Sequence, residues 1–170
     1  MGIPVISHPT FSLVLPSSGQ TVTFRPFLVK EEKILLVAQA SEDRADIVRA
    51  IKQVIANCII APQLDVNDFT TFDLEYFFIK LRAKSVQNIV TLSYRDNEDG
   101  NIYDVEVDLD QVEVVKPEGI DNKIEISATS GITLKYPTMR LMDEVENINS
   151  AVEFNFAIMQ ACIDVIYDGD

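Results

Sequence analysis

The sequence predicts an α+β fold: an N-terminal β-hairpin, three helices, a small antiparallel sheet of four to five strands, and two C-terminal helices. Apolar residues recur at helical spacing in the first half of the chain and near its end, and they alternate with polar residues in between. With 170 residues, 47% of them apolar, the chain is long enough to bury a hydrophobic core. We expect one domain over residues 1–170, with the hairpin and helices in 11–85, an acidic sheet in 86–137 and helices in 138–168.

The first predicted element is a β-hairpin over residues 11–26. A short apolar run at Phe11–Leu15 ends in the turn residues Pro16–Gly19, and a second run follows at Thr21–Phe24. Pro26 ends the second strand, because proline cannot donate a hydrogen bond to a neighbouring strand.

Three helices are predicted next. The first begins near Leu28, where helix-forming residues become frequent. The second ends before Pro62 and has one apolar stripe at helical spacing, formed by Ile47, Ile51, Val54, Ile55, Cys58 and Ile59. The third begins near Thr70, with Asp73 as a weak capping-box partner, and ends near Lys84.

After Ser85 the apolar period falls to two, which predicts strands. A second hairpin turns at Asp96–Asn101, and its apolar residues share one face: Val90, Leu92, Tyr94, Tyr103, Val105, Val107 and Leu109. The apolar phase slips at Asp110–Gln111, which predicts a bulge or a turn there. Two further short strands are predicted at Lys123–Ser127 and Ile132–Tyr136.

Two helices are predicted to close the chain. Thr138 can cap a short helix that continues through Val145, and Ser150 with Glu153 forms a capping box for a longer one. The longer helix is apolar around most of its circumference, through Val152, Phe154, Phe156, Ile158, Met159, Cys162, Ile163 and Ile166. Such a helix is either deeply buried or partly covered by another chain, which leaves a homo-oligomer open.

The charge is unevenly distributed along the chain. The whole chain has 14 Lys+Arg and 27 Asp+Glu, a net charge of -13. Residues 1–95 hold 10 basic and 9 acidic residues (+1), while residues 96–170 hold 4 and 18 (-14). This asymmetry has two interpretations, a solvated face that keeps the protein soluble or a surface that faces a basic partner.

Composition argues against several classes of function. An acidic chain is a poor ligand for nucleic acid, and no apolar run reaches the roughly 18–20 residues that cross a bilayer. Met1–Thr10 lacks the basic start of a signal peptide, and two cysteines cannot build a disulfide framework. We therefore expect an intracellular protein that binds neither nucleic acid nor membrane.

Residues suited to catalysis or metal binding are scarce. The one histidine, His8, lies in an N-terminal arm, and with Cys58 and Cys162 the chain has three potential zinc ligands where about four are needed. No glycine-rich phosphate loop is present, and Arg95 occupies the place of the first carboxylate of a calcium loop. We expect no catalytic residue, no cofactor and no metal site.

Two groups of charged residues are candidate partner contacts. The first alternates with apolar residues along one predicted strand and consists of Asp104, Glu106, Asp108 and Asp110. This alternation is typical of the solvated face of a strand, but four like charges on one face repel and could also pair with a basic partner. The second lies around the start of the first helix and consists of Arg25, Lys30, Glu31, Glu32 and Lys33. The alternative for the second group is a solvated first helical turn, in which Glu and Lys neighbours contribute a few tenths of a kcal/mol each.

Several strings resemble the T-even-type bacteriophage baseplate hub family of contractile-tailed phages. The most specific are Pro9–Gly19 and Phe24–Leu36. Shorter similar strings follow in the same order at Thr71–Tyr76, Leu81–Val86, Lys135–Pro137 and Cys162–Gly169. The resemblance departs at Arg95–Asn101, where many relatives have a cysteine-rich turn.

The resemblance implies a non-enzymatic protein whose partners are other tail proteins, such as hub subunits and the tape-measure protein. It implies a place in the host cytoplasm during phage assembly, or in the virion baseplate. Two roles stay open, a chaperone-like hub assembly factor and a structural hub subunit. Relatives commonly continue beyond the last string, whereas this chain ends at Asp170, and we take this as favouring the assembly factor. A metal-dependent or hydrolytic enzyme would need clustered ligands that the sequence does not display.

Overall fold

A computed structural model of the protein describes residues 8–116, 119 and 121–169, and confirms the predicted α+β class. Asp170 and the first seven residues, including most of the segment considered as a signal peptide, lie outside the described residues. The helices are α1 (Val29–Ser41), α2 (Arg44–Cys58), α3 (Thr71–Ser85), α4 (Met139–Val145) and α5 (Ala151–Ala161). The strands are β1 (Phe11–Val14), β2 (Thr21–Phe24), β3 (Ile59–Ala61), β4 (Ile89–Arg95), β5 (Ile102–Asp108), β6 (Lys123–Glu125), β7 (Ser130–Leu134) and β8 (Ile163–Asp168).

The described chain divides into two compact units. Unit 1 comprises the residues up to Leu64 together with Asp73–Val114, and unit 2 comprises Asp65–Phe72 together with the residues from Val115 onward. The single domain expected from the sequence stays a prediction.

Unit 1 begins with the predicted hairpin, and its sheet has the order β1-β2-β3. Strand β3 was not predicted: the sequence places Ile59 at the end of the α2 stripe, whereas in the structure Ile59 pairs with Phe24 of β2. The helix ends at Cys58 because the next residues, Ile59 and Ile60, are β-branched and find a sheet edge to pair with.

The core of unit 1 forms where this sheet meets α2 and α3. Val54 and Ile55 of the predicted α2 stripe are fully buried, and so are Phe24 of β2 and Phe77 of α3. The ring centroids of Phe24 and Phe77 lie 5.1 Å apart, within the range at which aromatic rings attract each other. Val54 and Ile55 of the predicted α2 stripe therefore pack in this core and hold the helix in place.

Strands β4 and β5 form the predicted second hairpin with the expected register. Leu92 lies opposite Val105, and Tyr94 lies opposite Tyr103, so the apolar residues share one face. Gly100 has the positive φ of 73° that its tight turn requires. The predicted phase slip is confirmed as a 3-10 turn at Leu109–Gln111.

Unit 2 contains the sheet β6-β7-β8 and the helices α4 and α5. Both predicted N-caps are confirmed: the side chain of Thr138 accepts a hydrogen bond from the backbone N–H of Leu141, and that of Ser150 accepts one from Glu153. The predicted sheet of four to five strands is in fact two separate sheets, β4-β5 and β6-β7-β8.

The end of the chain differs from the prediction. The sequence extends the last helix through Ile166, but α5 ends at Ala161 and Ile166 lies in β8 opposite Ile132 of β7. Isoleucine and valine dominate this stretch, and their branched side chains favour a strand once a partner strand is available. The apolar residues that the sequence assigns to one long helix are therefore divided between α5 and β8.

The segment Asp65–Phe72 is joined to α4 by several contacts within unit 2. The backbone N–H of Met139 donates to the carbonyl oxygen of Phe69 at 2.8 Å, and the guanidinium of Arg140 lies 2.9 Å from Asp65 and 2.8 Å from Asp68. A piece of chain distant in sequence thus forms part of this unit.

Candidate protein-binding surfaces

Of the four acidic candidates on β5 and in the turn that follows it, two are exposed and two are fixed by local structure. Asp104 and Glu106 face solvent, with one oxygen of Asp104 accepting from the hydroxyl of Ser93 at 2.6 Å. Asp108 caps the 3-10 turn, accepting at 3.0 Å from both the side-chain amide of Asn88 and the backbone N–H of Asp110.

Asp110 is half-buried and held by two lysines of α3. Its carboxylate lies 2.8 Å from the ammonium of Lys84, and its carbonyl oxygen accepts from the ammonium of Lys80 at 2.7 Å. Asp110 therefore secures the end of the hairpin to α3, which leaves Asp104 and Glu106 as the exposed carboxylates of the strand.

The second charged group is not a uniformly solvated helical turn. Lys30, Glu32 and Lys33 are exposed as that interpretation expects, but the side chain of Glu31 is 0% exposed and that of Arg25 only 16%. The solvated-turn interpretation is therefore wrong for Glu31, which lies in the interior of unit 1.

Several hydrogen bonds hold Glu31 in its charged form. Burial raises the pKa of this carboxyl, but hydrogen bonds from Arg25, from the backbone N–H of Leu28 and from Lys30 outweigh burial, and the pKa falls below its usual value. The bond from Leu28 is 2.9 Å long and satisfies an N–H at the start of α1 that has no partner within the helix.

The half of the apolar β4–β5 face that lies toward the turn is open to solvent, whereas Val90 and Val107 at its other end are half-buried. We call the four exposed residues the hairpin surface; they are between 48 and 61% exposed and are Leu92, Tyr94, Tyr103 and Val105. The sequence correctly predicts that these residues share a face, but not that the face is uncovered. Alternation of polar and apolar residues is the same in a covered and an uncovered strand, so no sequence signal separates the two cases.

A second apolar surface lies on α5. Its three outward residues, Val152, Phe156 and Met159, are between 67 and 79% exposed; we call them the α5 surface. No residue of α5 is buried, so of the two alternatives predicted for this helix, deep burial is wrong.

The remaining chemically reactive side chains do not converge. Cys58 is buried in unit 1, where burial raises the pKa of its thiol to about 11. Burial also raises the pKa of Cys162 in unit 2. Among the described residues, no three His, Cys, Asp or Glu side chains are grouped so that they could hold a metal ion, and no helix has the length and apolar character needed to cross a bilayer.

Exposed apolar surfaces of this kind, set in an acidic α+β fold, are typical of proteins that bind other proteins. The model of one protein family, described as T4 bacteriophage base plate protein, matches residues 8–170. The chain therefore belongs to that family and is a phage baseplate protein, as the N-terminal strings had indicated. No curated protein and no solved structure matches the chain.

Proposed function

We propose that the protein is a non-enzymatic, chaperone-like assembly factor of the phage tail, which binds a hub subunit or the tape-measure protein while the baseplate hub is built. The observation that supports this role is the exposed hairpin surface. Contiguous exposed apolar side chains mark a surface that binds another protein, because a partner that covers them removes their apolar area from water.

The charge around the hairpin indicates the chemistry of the partner. From Asp96 to Val115 the chain has eight acidic residues and no Lys or Arg. Asp104 and Glu106 project from the face opposite to the hairpin surface, and three further acids lie in the turn. A partner segment that combines apolar and basic residues would therefore be attracted to the hairpin and then held by apolar contact.

The proposal is tested by mixing the purified protein with the hub and tape-measure proteins of its own phage at low salt. We expect a complex, and we expect the double variant Leu92→Ser with Tyr94→Ser to lose it. The matched control is Thr91→Ala, which changes an exposed residue of the same strand on the opposite face. If neither protein forms a complex and deletion of the gene leaves hub assembly intact, the proposal is wrong.

A structural subunit of the finished baseplate is the second candidate, and the same surface supports it because a permanent partner would also cover the apolar face. The two roles predict different fates for the protein. An assembly factor is absent from purified virions, whereas a structural subunit is present in fixed stoichiometry. Quantitative mass spectrometry of mature particles separates them.

A further inference from the structure

The helix α5 has two apolar stripes on opposite sides. At 100° per residue, the half-buried Phe154, Ala157, Ile158 and Ala161 form one stripe, and the residues of the α5 surface form the other about 180° away. The helix contacts α4 and β8 of unit 2. The outward stripe, at positions i, i+4 and i+7, is the pattern with which one helix packs against another.

The size of the outward stripe favours a helical segment as its occupant. Three side chains along about two turns expose much less than the roughly 800 Å² that each partner of a standard complex between folded proteins buries. A single amphipathic helix that packs along α5 can be bound by a surface of this size, because its apolar residues recur at the same i, i+4 and i+7 spacing.

The charges of unit 2 define the rest of the occupant's chemistry. Three of its basic residues are already paired: Lys123 with Glu125, Lys135 with Asp164, and Arg140 with two aspartates. Within the described part of the chain, no ion pair is formed by the exposed carboxylates on α5 and in the residues preceding it, Glu144, Glu146 and Glu153.

A second copy of the chain fits this surface poorly. It would bring a net charge of -13 and the same unpaired carboxylates to a helix that already carries Glu153. Like charges brought together across an interface oppose association, whereas lysine or arginine beside an apolar stripe would pair with them.

We propose that the α5 surface binds an amphipathic helix of another protein, whose apolar stripe is flanked by lysine or arginine. The inference rests on the proposed function only in that the helix would belong to another tail protein. It assigns unit 2 a binding surface of its own, formed by residues different from those of the hairpin surface.

The probe for this proposal is a designed helical peptide with leucine at i, i+4 and i+7 and lysine on both flanks, and its control is a scrambled peptide of identical composition. Fluorescence anisotropy measures both against the full-length protein. We expect the designed peptide to bind at least about tenfold more tightly than the scrambled one. We expect Phe156→Glu to remove that advantage, and Met159→Glu serves as a second variant if Phe156→Glu fails to fold by circular dichroism.

The matched control is Val115→Glu, which adds the same charge at an apolar residue that is 87% exposed and lies outside the helix. This variant should bind the designed peptide like the wild type. Equal binding of the two peptides would show attraction by net charge alone and overturn the proposal. Equal loss of binding in Phe156→Glu and Val115→Glu would show that the peptide does not depend on the α5 surface and would overturn it too. A dimer in sedimentation that Phe156→Glu dissociates would place a second copy on the surface and overturn it as well.

The outcome is separable from that of the proposed function. The double variant at Leu92 and Tyr94 should still bind the designed peptide, because the α5 surface is unchanged. If peptide binding fails while the hairpin variant still loses its tail partner, this inference is wrong and the proposed function stands.

Discussion

The guanidinium of Arg25 lies 3.0 Å from the carboxylate of Glu31, and both side chains are largely shielded from water. The same guanidinium donates to the carbonyl oxygens of Pro26 and Asn57 at 2.9 and 3.0 Å. Arg25 thus joins Pro26, the first turn of α1 and the end of α2. This contact gives a structural role to two residues that the sequence suggests as partner contacts.

Replacing Glu31 should destabilise unit 1 strongly. Glu31→Ala leaves Arg25 shielded from water without its partner, and breaking a buried pair in this way costs about 3–5 kcal/mol. Urea unfolding followed by circular dichroism measures the loss. The matched control is Glu32→Ala, which removes an exposed neighbour and should change the free energy of unfolding by no more than about 0.5 kcal/mol. Similar losses in the two variants would contradict the assignment.

Glu31 should also make stability depend on pH. Its folded-state pKa is lowered from the ordinary 4.5, so the folded protein releases this proton more readily than the unfolded chain. Its contribution is therefore complete above about pH 4.5 and is lost as the pH falls through the lower folded-state pKa. Between pH 6 and pH 3, the unfolding free energy of the wild type should fall more steeply than that of Glu31→Gln. Parallel curves would show that the carboxyl does not carry this dependence.

The Cys58 thiol should be almost unreactive in the folded protein. With a pKa of about 11, roughly 0.1% of it is thiolate at pH 8, and the thiolate is the reactive form. We expect Ellman's reagent to label Cys58 only after unfolding. The variants Cys58→Ala and Cys162→Ala assign the signal to each residue, and rapid native labelling in Cys162→Ala would contradict the buried placement.

A side chain at Gly131 should disturb the unit 2 sheet. A Cβ there would overlap the hydroxyl of Tyr167 and lie 2.5 Å from the carbonyl oxygen of Ile124. Gly131→Ala is expected to cost about 1–3 kcal/mol, and Tyr167→Phe should restore part of the loss by removing the nearest atom. The control Gly169→Ala, whose Cβ would lie 3.2 Å from Thr129, should cost less in the same thermal unfolding assay.

Charge reversal of the acidic residues of β5 should have two different effects, depending on the residue. Glu106→Lys and Asp104→Lys change exposed groups and should leave stability nearly unchanged while weakening partner binding. Asp108→Lys removes a cap and the bond from Asn88, and should cost about 1–2 kcal/mol. Urea unfolding and binding assays on the same variants check both expectations, and tight binding by Glu106→Lys would remove this strand from the interface.

The sequence predicts the elements of this fold well where local chemistry decides them. Thr138 and Ser150 cap the helices that the sequence predicts. A hydroxyl just before an apolar run accepts a hydrogen bond from a free backbone N–H of the first helical turn. The register of Leu92 with Val105 follows from the position of the turn. These features depend on neighbouring residues alone.

Features that depend on distant residues were missed. Ile59 and Ile166 fit a helical stripe as well as a strand, and only the presence of β2 or β7 decides between them. The burial of Glu31 depends on Arg25, and the exposure of Tyr94 depends on the absence of a covering layer. Spacing along the chain carries no information on either.

The membership of Asp65–Phe72 in unit 2 determines how a fragment containing that unit should be designed. A fragment starting at Val115 would lack Phe69, whose carbonyl accepts from Met139, and both aspartates that pair with Arg140. The remaining fragment would keep the helices and the three-stranded sheet but lose these contacts. A fragment meant to contain all of unit 2 therefore has to join Asp65–Phe72 to the residues from Val115 onward.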